Sequence, residues 1–351
     1  METMTSQERM AAVAQGKRPD RVPVLAMSGG YAARLYGLSL KEFYTNPEKS
    51  FKVQRLVAEL HGYDESPSYG WADTGAWEFG GGIRFPESDE EGAPVSISDL
   101  VTKPSDVDRL EIPDPRTAGM YPALLEFNRL SRAHGLPARI PAGSATTAVG
   151  AIIGRERLLR WYYKEPEAVR VVYDKVTRFL LRAADVMIEE FGAENCTAGL
   201  GAPNDSNELI SSKIFESFSV PYLKVVIEGL VERGINRFSA HICGDHHQNL
   251  AAWTALPLPP RSSISIGSQM DIVEVAEAFN HKHIISGNVP TWVLHLGTYD
   301  EVNDAARQCI EQGKDLPGGY ILMPACGLPV QTPPLNVHAL VAAARHFGSY
   351  N

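Results

Sequence analysis

The alternation in the second two-thirds of the chain most constrains what it can fold into. Short apolar runs over residues 138–142, 195–200, 236–242, 262–266, 283–286 and 319–323 each end in a glycine- or proline-bearing turn. Between them lie helical patterns over 154–163, 166–191, 211–233, 246–253, 272–280, 299–312 and 336–347, with Pro221 marking a kink or break in the third. Strands that alternate with helices in this way build βαβ units, and βαβ units build parallel sheets. Six repeats are plain and two more fit before residue 100, which favours a closed α/β (β/α)8 TIM barrel over an open sheet.

The first third is less regular. A helix over 5–14, with Ser6 as N-cap, gives way to a short apolar strand at 22–27 and helical patterns at 32–35, 39–44 and 47–60. Residues 63–97 suggest a strand, a loop carrying Asp73 and a hairpin near 83–85; residues 121–133 are helical. The expectation is one barrel domain over 1–351, with helical and hairpin extensions in about the first 100 residues.

Composition narrows the function. A net charge of -9 without a basic run opposes nucleic-acid binding. No apolar run approaches the roughly 18 residues of a membrane helix, and the N-terminus lacks the basic and apolar regions of a secretory signal. The expected setting is the cytoplasm. Four cysteines in 351 residues are no disulfide framework, and Cys196 and Cys309 read as ordinary helix or strand-end cysteines without a special role. Gly80-Gly-Gly82 lacks the strand-to-helix context of a dinucleotide fingerprint, and neither a Walker sequence nor a Gly-x-Ser-x-Gly elbow is present.

Barrel enzymes carry their sites on the C-terminal ends of the strands. Met27, Tyr31, Asp73, Glu208, His241, Cys243, Gln269, Asn288 and Cys326 fall there. His241 and Cys243 are two apart on a strand and face the same side. Cys326 opens another strand-end loop and meets them only if the barrel closes. Imidazole and thiolate are ligands that zinc favours, and three of them leave a tetrahedral position open for catalysis. The same residues are also common in apolar cores, and spacing alone does not separate the two readings.

Glu208 reads equally as a capping residue for the following helix and as a zinc ligand or proton carrier. Asp245 suits an N-cap, with His246 and His247 opening a helix, one or both towards solvent. Tyr31 and Trp71, with Tyr69, Trp77 and Phe79 nearby, either line a pocket for a flat substrate or seal the core. Met27 and Asn288 are further substrate-binding candidates.

Several stretches resemble the uroporphyrinogen decarboxylase superfamily: Glu8-Arg-Met with Gly16-Lys-Arg-Pro-Asp-Arg-Val-Pro-Val24, then Leu209 to Tyr222, then Thr332-Pro-Pro-Leu-Asn-Val337. The resemblance spans nearly the whole chain and implies an (α/β)8 barrel. Decarboxylases of this family carry an arginine-rich segment after the first strand. This chain has Ala26-Met-Ser-Gly-Gly-Tyr31 there, without arginine. His241, Cys243 and Cys326 instead match the zinc signature of the corrinoid-dependent methyltransferase branch. That branch implies Zn2+ and a cobalamin carried by a partner corrinoid protein.

Flanking residues such as Gly37 to Lys49 look more like the bacterial O-demethylases. The expectation is therefore transfer of a methyl group from a small methoxylated, aromatic substrate to cob(I)alamin. Zinc would stabilise the leaving phenolate, while Glu208 or Asp73 orients substrate or moves a proton. The alternative is methyl transfer from methylcobamide to a thiol such as coenzyme M. Decarboxylation and a non-catalytic corrinoid-protein-binding module rank below these. Monomer and homodimer are not distinguished.

Overall fold

The computed structural model describes residues 2–64 and 67–350. Its central sheet follows from an alternation of small apolar residues with polar or glycine positions. In the strand β4, Cys196–Gly201, the residues Cys196, Ala198 and Leu200 are buried, while Thr197, Gly199 and Gly201 keep some accessible surface. The strands Ala138–Pro141 (β3) and Phe238–Ile242 (β5) alternate in the same sense. With Ser263–Ile266 (β6), Ile284–Val289 (β7) and Tyr320–Pro324 (β8) they form a six-stranded parallel sheet in sequence order. A separate antiparallel pair, Ile83–Arg84 (β1) with Val95–Ser96 (β2), is the expected hairpin.

Two further staves are extended segments rather than ladders. Val24 bridges in parallel to Leu322 of β8, and the Asp64 N–H donates to Val24 O at 2.7 Å. The strand expected at 22–27 is thus reduced to one bridge. Pro23 within it has no N–H for a ladder. Six strands and two extended staves make the chain a (β/α)8 barrel.

Apolar stripes hold the helices against the strands, and the longest, Pro166–Phe191, buries Val169, Val172, Tyr173, Val176 and Phe179. Two short helices, Ala145–Ile153 and Thr291–Leu296, follow β3 and β7 directly and escape the sequence reading. The first is buried at every position, so it shows no amphipathic period. The helix expected over 211–233 is interrupted, as Pro221 suggests: a π-helical turn at Phe215–Ser219 precedes Val220–Glu232. A π turn is a usual answer to a local break in the i→i−4 ladder. The first helix, Ser6–Ala14, is capped by Thr5 rather than Ser6, because Thr5 and Glu8 form a reciprocal capping box.

That first helix closes the N-terminal end of the barrel. Arg261, just before β6, donates to Ala14 O and to the carbonyls of Val13 and Gly318. Met10, Val13, Leu25, Ile284 and Ile321 form a small apolar cluster at this end. Beside it Arg9 Nε donates to Asp20 at 2.7 Å and Arg9 Nη1 to Asp64 at 2.6 Å. Arg21 Nη1 also reaches Asp64, at 3.0 Å. Asp64 in turn accepts the Val24 N–H at 2.8 Å. These buried charges tie the helix to both irregular staves.

Candidate metal centre

His241 lies near the end of β5 and Cys243 just past it, and Cys326 opens the loop after β8. β5 and β8 are separated by two strands in the sheet. The three residues therefore meet only across the barrel interior, and their ligand atoms lie within 4.8 Å of one another. Among the described residues this is the one such cluster of His, Cys and carboxylate groups.

Three observations test whether the trio suits a zinc-like ion. The sulfurs of Cys243 and Cys326 are 3.7 Å apart, too far for a disulfide bond. Two sulfurs each about 2.3 Å from one tetrahedral ion stand about 3.8 Å from each other. His241 Nδ1 lies 2.8 Å from Ser265 Oγ, and the Ser265 hydroxyl donates to Ala240 O at 3.4 Å, so its oxygen is left to accept from His241 Nδ1–H. That bond fixes the tautomer. His241 Nε2 is left buried and without any hydrogen-bond partner, which a cation would satisfy. The donor set of one imidazole and two thiols, with no fourth His, Cys or carboxylate ligand among the described residues, fits a catalytic zinc site.

Without a metal the two thiols divide their charge unequally. Cys243 S–H donates to Cys326 and the His241 imidazole interacts with the same sulfur, which together hold the Cys326 thiol well below its ordinary value. Donating to Cys326, burial and the carboxylate of Glu208 all push Cys243 up. A metal that takes both sulfurs as thiolates therefore releases a proton from Cys243.

The supporting loop is built by groups that spacing did not mark. Ser265 pairs with His241 across the β5–β6 ladder, an alignment invisible in one sequence. His246 is wholly buried rather than solvent-facing. Its Nε2 lies 3.2 Å from Cys243 O, and its Nδ1 accepts from Trp253 Nε1 at 3.0 Å. Burial lowers its pKa to about 4, so it stays neutral and holds the Cys243 carbonyl. Asp245 and His247 do face solvent. Asp245 accepts both the N–H and the Nδ1–H of His247, at 2.9 and 2.7 Å.

The other candidates divide. Glu208 is exposed at the rim and accepts from Gln269 Nε2 at 3.3 Å. It stands against Gly244, where an added Cβ would come within 2.7 Å of its carboxylate. Glycine at 244, in the left-handed region, admits this approach beside Cys243. Met27 is 41% exposed, and its carbonyl accepts the Leu328 N–H at 3.2 Å, which sets it beside the Cys326 loop. Asp73 lies elsewhere in the bonding pattern. One oxygen pairs with Arg155 at 2.6 Å and the other accepts the Ser96 N–H at 2.7 Å, anchoring the hairpin.

Tyr31 is buried, with its hydroxyl 2.8 Å from His61 on the outer helix Pro47–His61. Trp71 is half-buried in an aromatic cluster, stacked on Trp77 at 6.0 Å and edge-on to Tyr44 and Phe85. Asn288 lies within β7, its amide donating to Gly267 O and Met270 O at 3.0 and 2.7 Å. Cys196 and Cys309 are buried and apart from the centre.

Comparison with known proteins agrees with this fold. The uroporphyrinogen decarboxylase (URO-D) family model matches residues 5–347. A methylcobamide:CoM methyltransferase, MtbA of Methanosarcina mazei, is 24% identical over 99% of both chains. A protein of the same name from Methanosarcina acetivorans is 25% identical over 58% of this chain and 60% of that one. A uroporphyrinogen decarboxylase of Anaeromyxobacter dehalogenans is 26% identical over 97% of this chain and 99% of that one. A solved methyltransferase from Methanosarcina mazei superposes with a TM-score of 0.80 at 23% identity, covering 98% and 99% of the two chains; that likeness is one of fold. The chain belongs to the uroporphyrinogen decarboxylase (URO-D) family.

Proposed function

We propose that this protein is a zinc-dependent methyltransferase that moves a methyl group from a methylcobamide, presented by a corrinoid protein, to a thiol. The observation that carries the reading is the unpartnered, buried Nε2 of His241 facing two sulfurs 3.7 Å apart. The relatives support a thiol acceptor over the methoxyarene donor expected from flanking residues, because those named methyltransferases act on CoM. The first stave supports methyl transfer over polycarboxylate decarboxylation, since Ala26 to Tyr31 contains no arginine.

When bound by His241, Cys243 and Cys326, zinc would lower the pKa of an acceptor thiol and hold its thiolate. Ser265 orients the imidazole, and His246 steadies the Cys243 carbonyl. Glu208, exposed and with its charge felt by Cys243, is the carboxylate placed to receive the acceptor's proton. The acceptor sulfur forms its bond to the methyl carbon as the carbon–cobalt bond breaks, and cobalt keeps the electron pair. Met27, exposed beside the Cys326 loop, offers an apolar contact at the same mouth.

The test combines metal analysis with methyl transfer from methylcobalamin to thiols, followed by the rise of cob(I)alamin absorbance. One zinc per chain and turnover are expected, and Cys326→Ser should lose both. Protein without zinc, or full turnover in Cys326→Ser, would sink the mechanism. Methylation of cob(I)alamin from methoxyarenes, with no transfer to thiols, would establish the demethylase instead.

A further inference from the structure

The barrel interior is not packed shut. Register places Gly201 opposite His241, and Gly199 opposite Ser239. Arg139 and Pro141 of β3 stand opposite Thr197 and Gly199. Paired residues in a parallel ladder face the same side, so all of these share the interior with His241. They keep accessible surface, whereas the alternate residues under the helices are buried. A side chain added at Gly201 would meet nothing within 4 Å. Serines at 239, 263, 265 and 286 line the same space instead of the bulky aliphatic layers usual in such barrels.

Arg139 is the cation of this interior. Its backbone is clamped at the sheet edge, where Asn128 accepts the Arg139 N–H and donates to its carbonyl, both at 3.0 Å. Its Nη2 lies 3.5 Å from where a Gly199 Cβ would stand. Among the described residues no carboxylate pairs with it. Burial without a counter-charge pulls its pKa down from the ordinary value. A purely structural arginine in such a place normally has a partner. His241 sits two register steps above Gly199, about 7 Å along the strands. A molecule with roughly two or three carbon atoms between sulfur and anion spans that gap.

We propose that Arg139 forms an anion-binding floor below the metal centre and takes a carboxylate or sulfonate carried by the substrate. One guanidinium suits one anionic group and makes a poor host for a polycarboxylate. The assignment of that substrate as the thiol acceptor rests on the function proposed above.

Two experiments separate the claims. Calorimetric titration of zinc-loaded protein with ethanesulfonate or propionate, which carry no thiol, reads the anion site alone. Binding should weaken about 10- to 100-fold in Arg139→Gln and partly return in Arg139→Lys, with zinc content and circular dichroism unchanged. Equal binding by wild type and Arg139→Gln, or loss of binding in Arg139→Lys as severe as in Arg139→Gln, would overturn the floor.

Methyl transfer then compares 3-mercaptopropionate with neutral 2-mercaptoethanol. Arg139→Gln should raise KM for the anionic thiol by a similar factor with kcat little changed, and leave the neutral thiol alone. Equal rises in KM for both would overturn the specificity role. No transfer to any thiol would defeat the proposed function, while the calorimetry still decides on Arg139.

Discussion

Replacing Ser265 with alanine removes the group that orients His241 without touching a metal ligand. In the native site the His241 Nδ1–H donates to Ser265 Oγ at 2.8 Å. Losing one such hydrogen bond costs about 1 kcal/mol. Freeing the imidazole to choose between two tautomers adds about 0.4 kcal/mol. Together these lower zinc affinity about tenfold, at the weak end of the 10- to 100-fold range typical of groups behind a metal ligand. Competition for zinc against a chromophoric chelator reads this directly. Ser265→Thr keeps a hydroxyl and should stay near wild type. Zinc affinity within twofold of wild type in Ser265→Ala would refute the role assigned to the Ser265 hydroxyl.

Two other perturbations test different parts of the molecule. Arg9→Ala removes the guanidinium between Asp20 and Asp64, whose side chains are 3% and 0% exposed. Arg21 still pairs with Asp64 and backbone N–H groups still reach Asp20, so the lost charged hydrogen bonds should cost about 1.5–3 kcal/mol in urea unfolding, and a loss below about 1 kcal/mol would sink that account. Burial raises the Asp20 carboxyl, but Arg9 and the N–H groups of Met4 and Thr3 hold it well below its ordinary value. Its stabilisation is therefore present at neutral pH and lost as pH falls below about 4, a dependence that Arg9→Ala should weaken. In metal-stripped protein Cys243 and His241 hold the Cys326 thiol well below its ordinary value, while Cys196 is pushed up to about 11 by burial. Iodoacetamide at pH 6 should label Cys326 first, and zinc should protect it, as peptide mass spectrometry would show. Preferential labelling of Cys243 would contradict the charge division drawn for the pair.

The barrel was legible because its strands are short apolar runs closed by glycine, a pattern local enough for one sequence to carry. The two irregular staves were harder, since Pro23 interrupts one and both are held by Asp64 rather than by a ladder. His241, Cys243 and Cys326 could be named from residue chemistry and from family resemblance. Their partners could not: Ser265 faces His241 through strand register, and His246 is buried by Trp253 and Phe215. Tyr31 lies on the helix Gly29–Tyr36 and Asn288 within β7 rather than past a strand end, and their polar atoms are engaged with His61 and with backbone carbonyls. Arg139 escaped notice because nothing in Ala138-Arg-Ile-Pro141 says which face turns inward.

The stopper at the N-terminal end makes the barrel a blind tube. With Met10 and Val13 seated on Ile284 and Ile321, whatever enters past Met27 and Glu208 leaves by the same mouth. A corrinoid protein docked over that mouth would shut the acceptor in and water out. Under the proposed function the order of events is then imposed by architecture: acceptor first, donor second, and the methylated product only after the donor departs. Initial-rate kinetics at varied acceptor and corrinoid protein should show compulsory order, and random order would mean that the tube has a second opening.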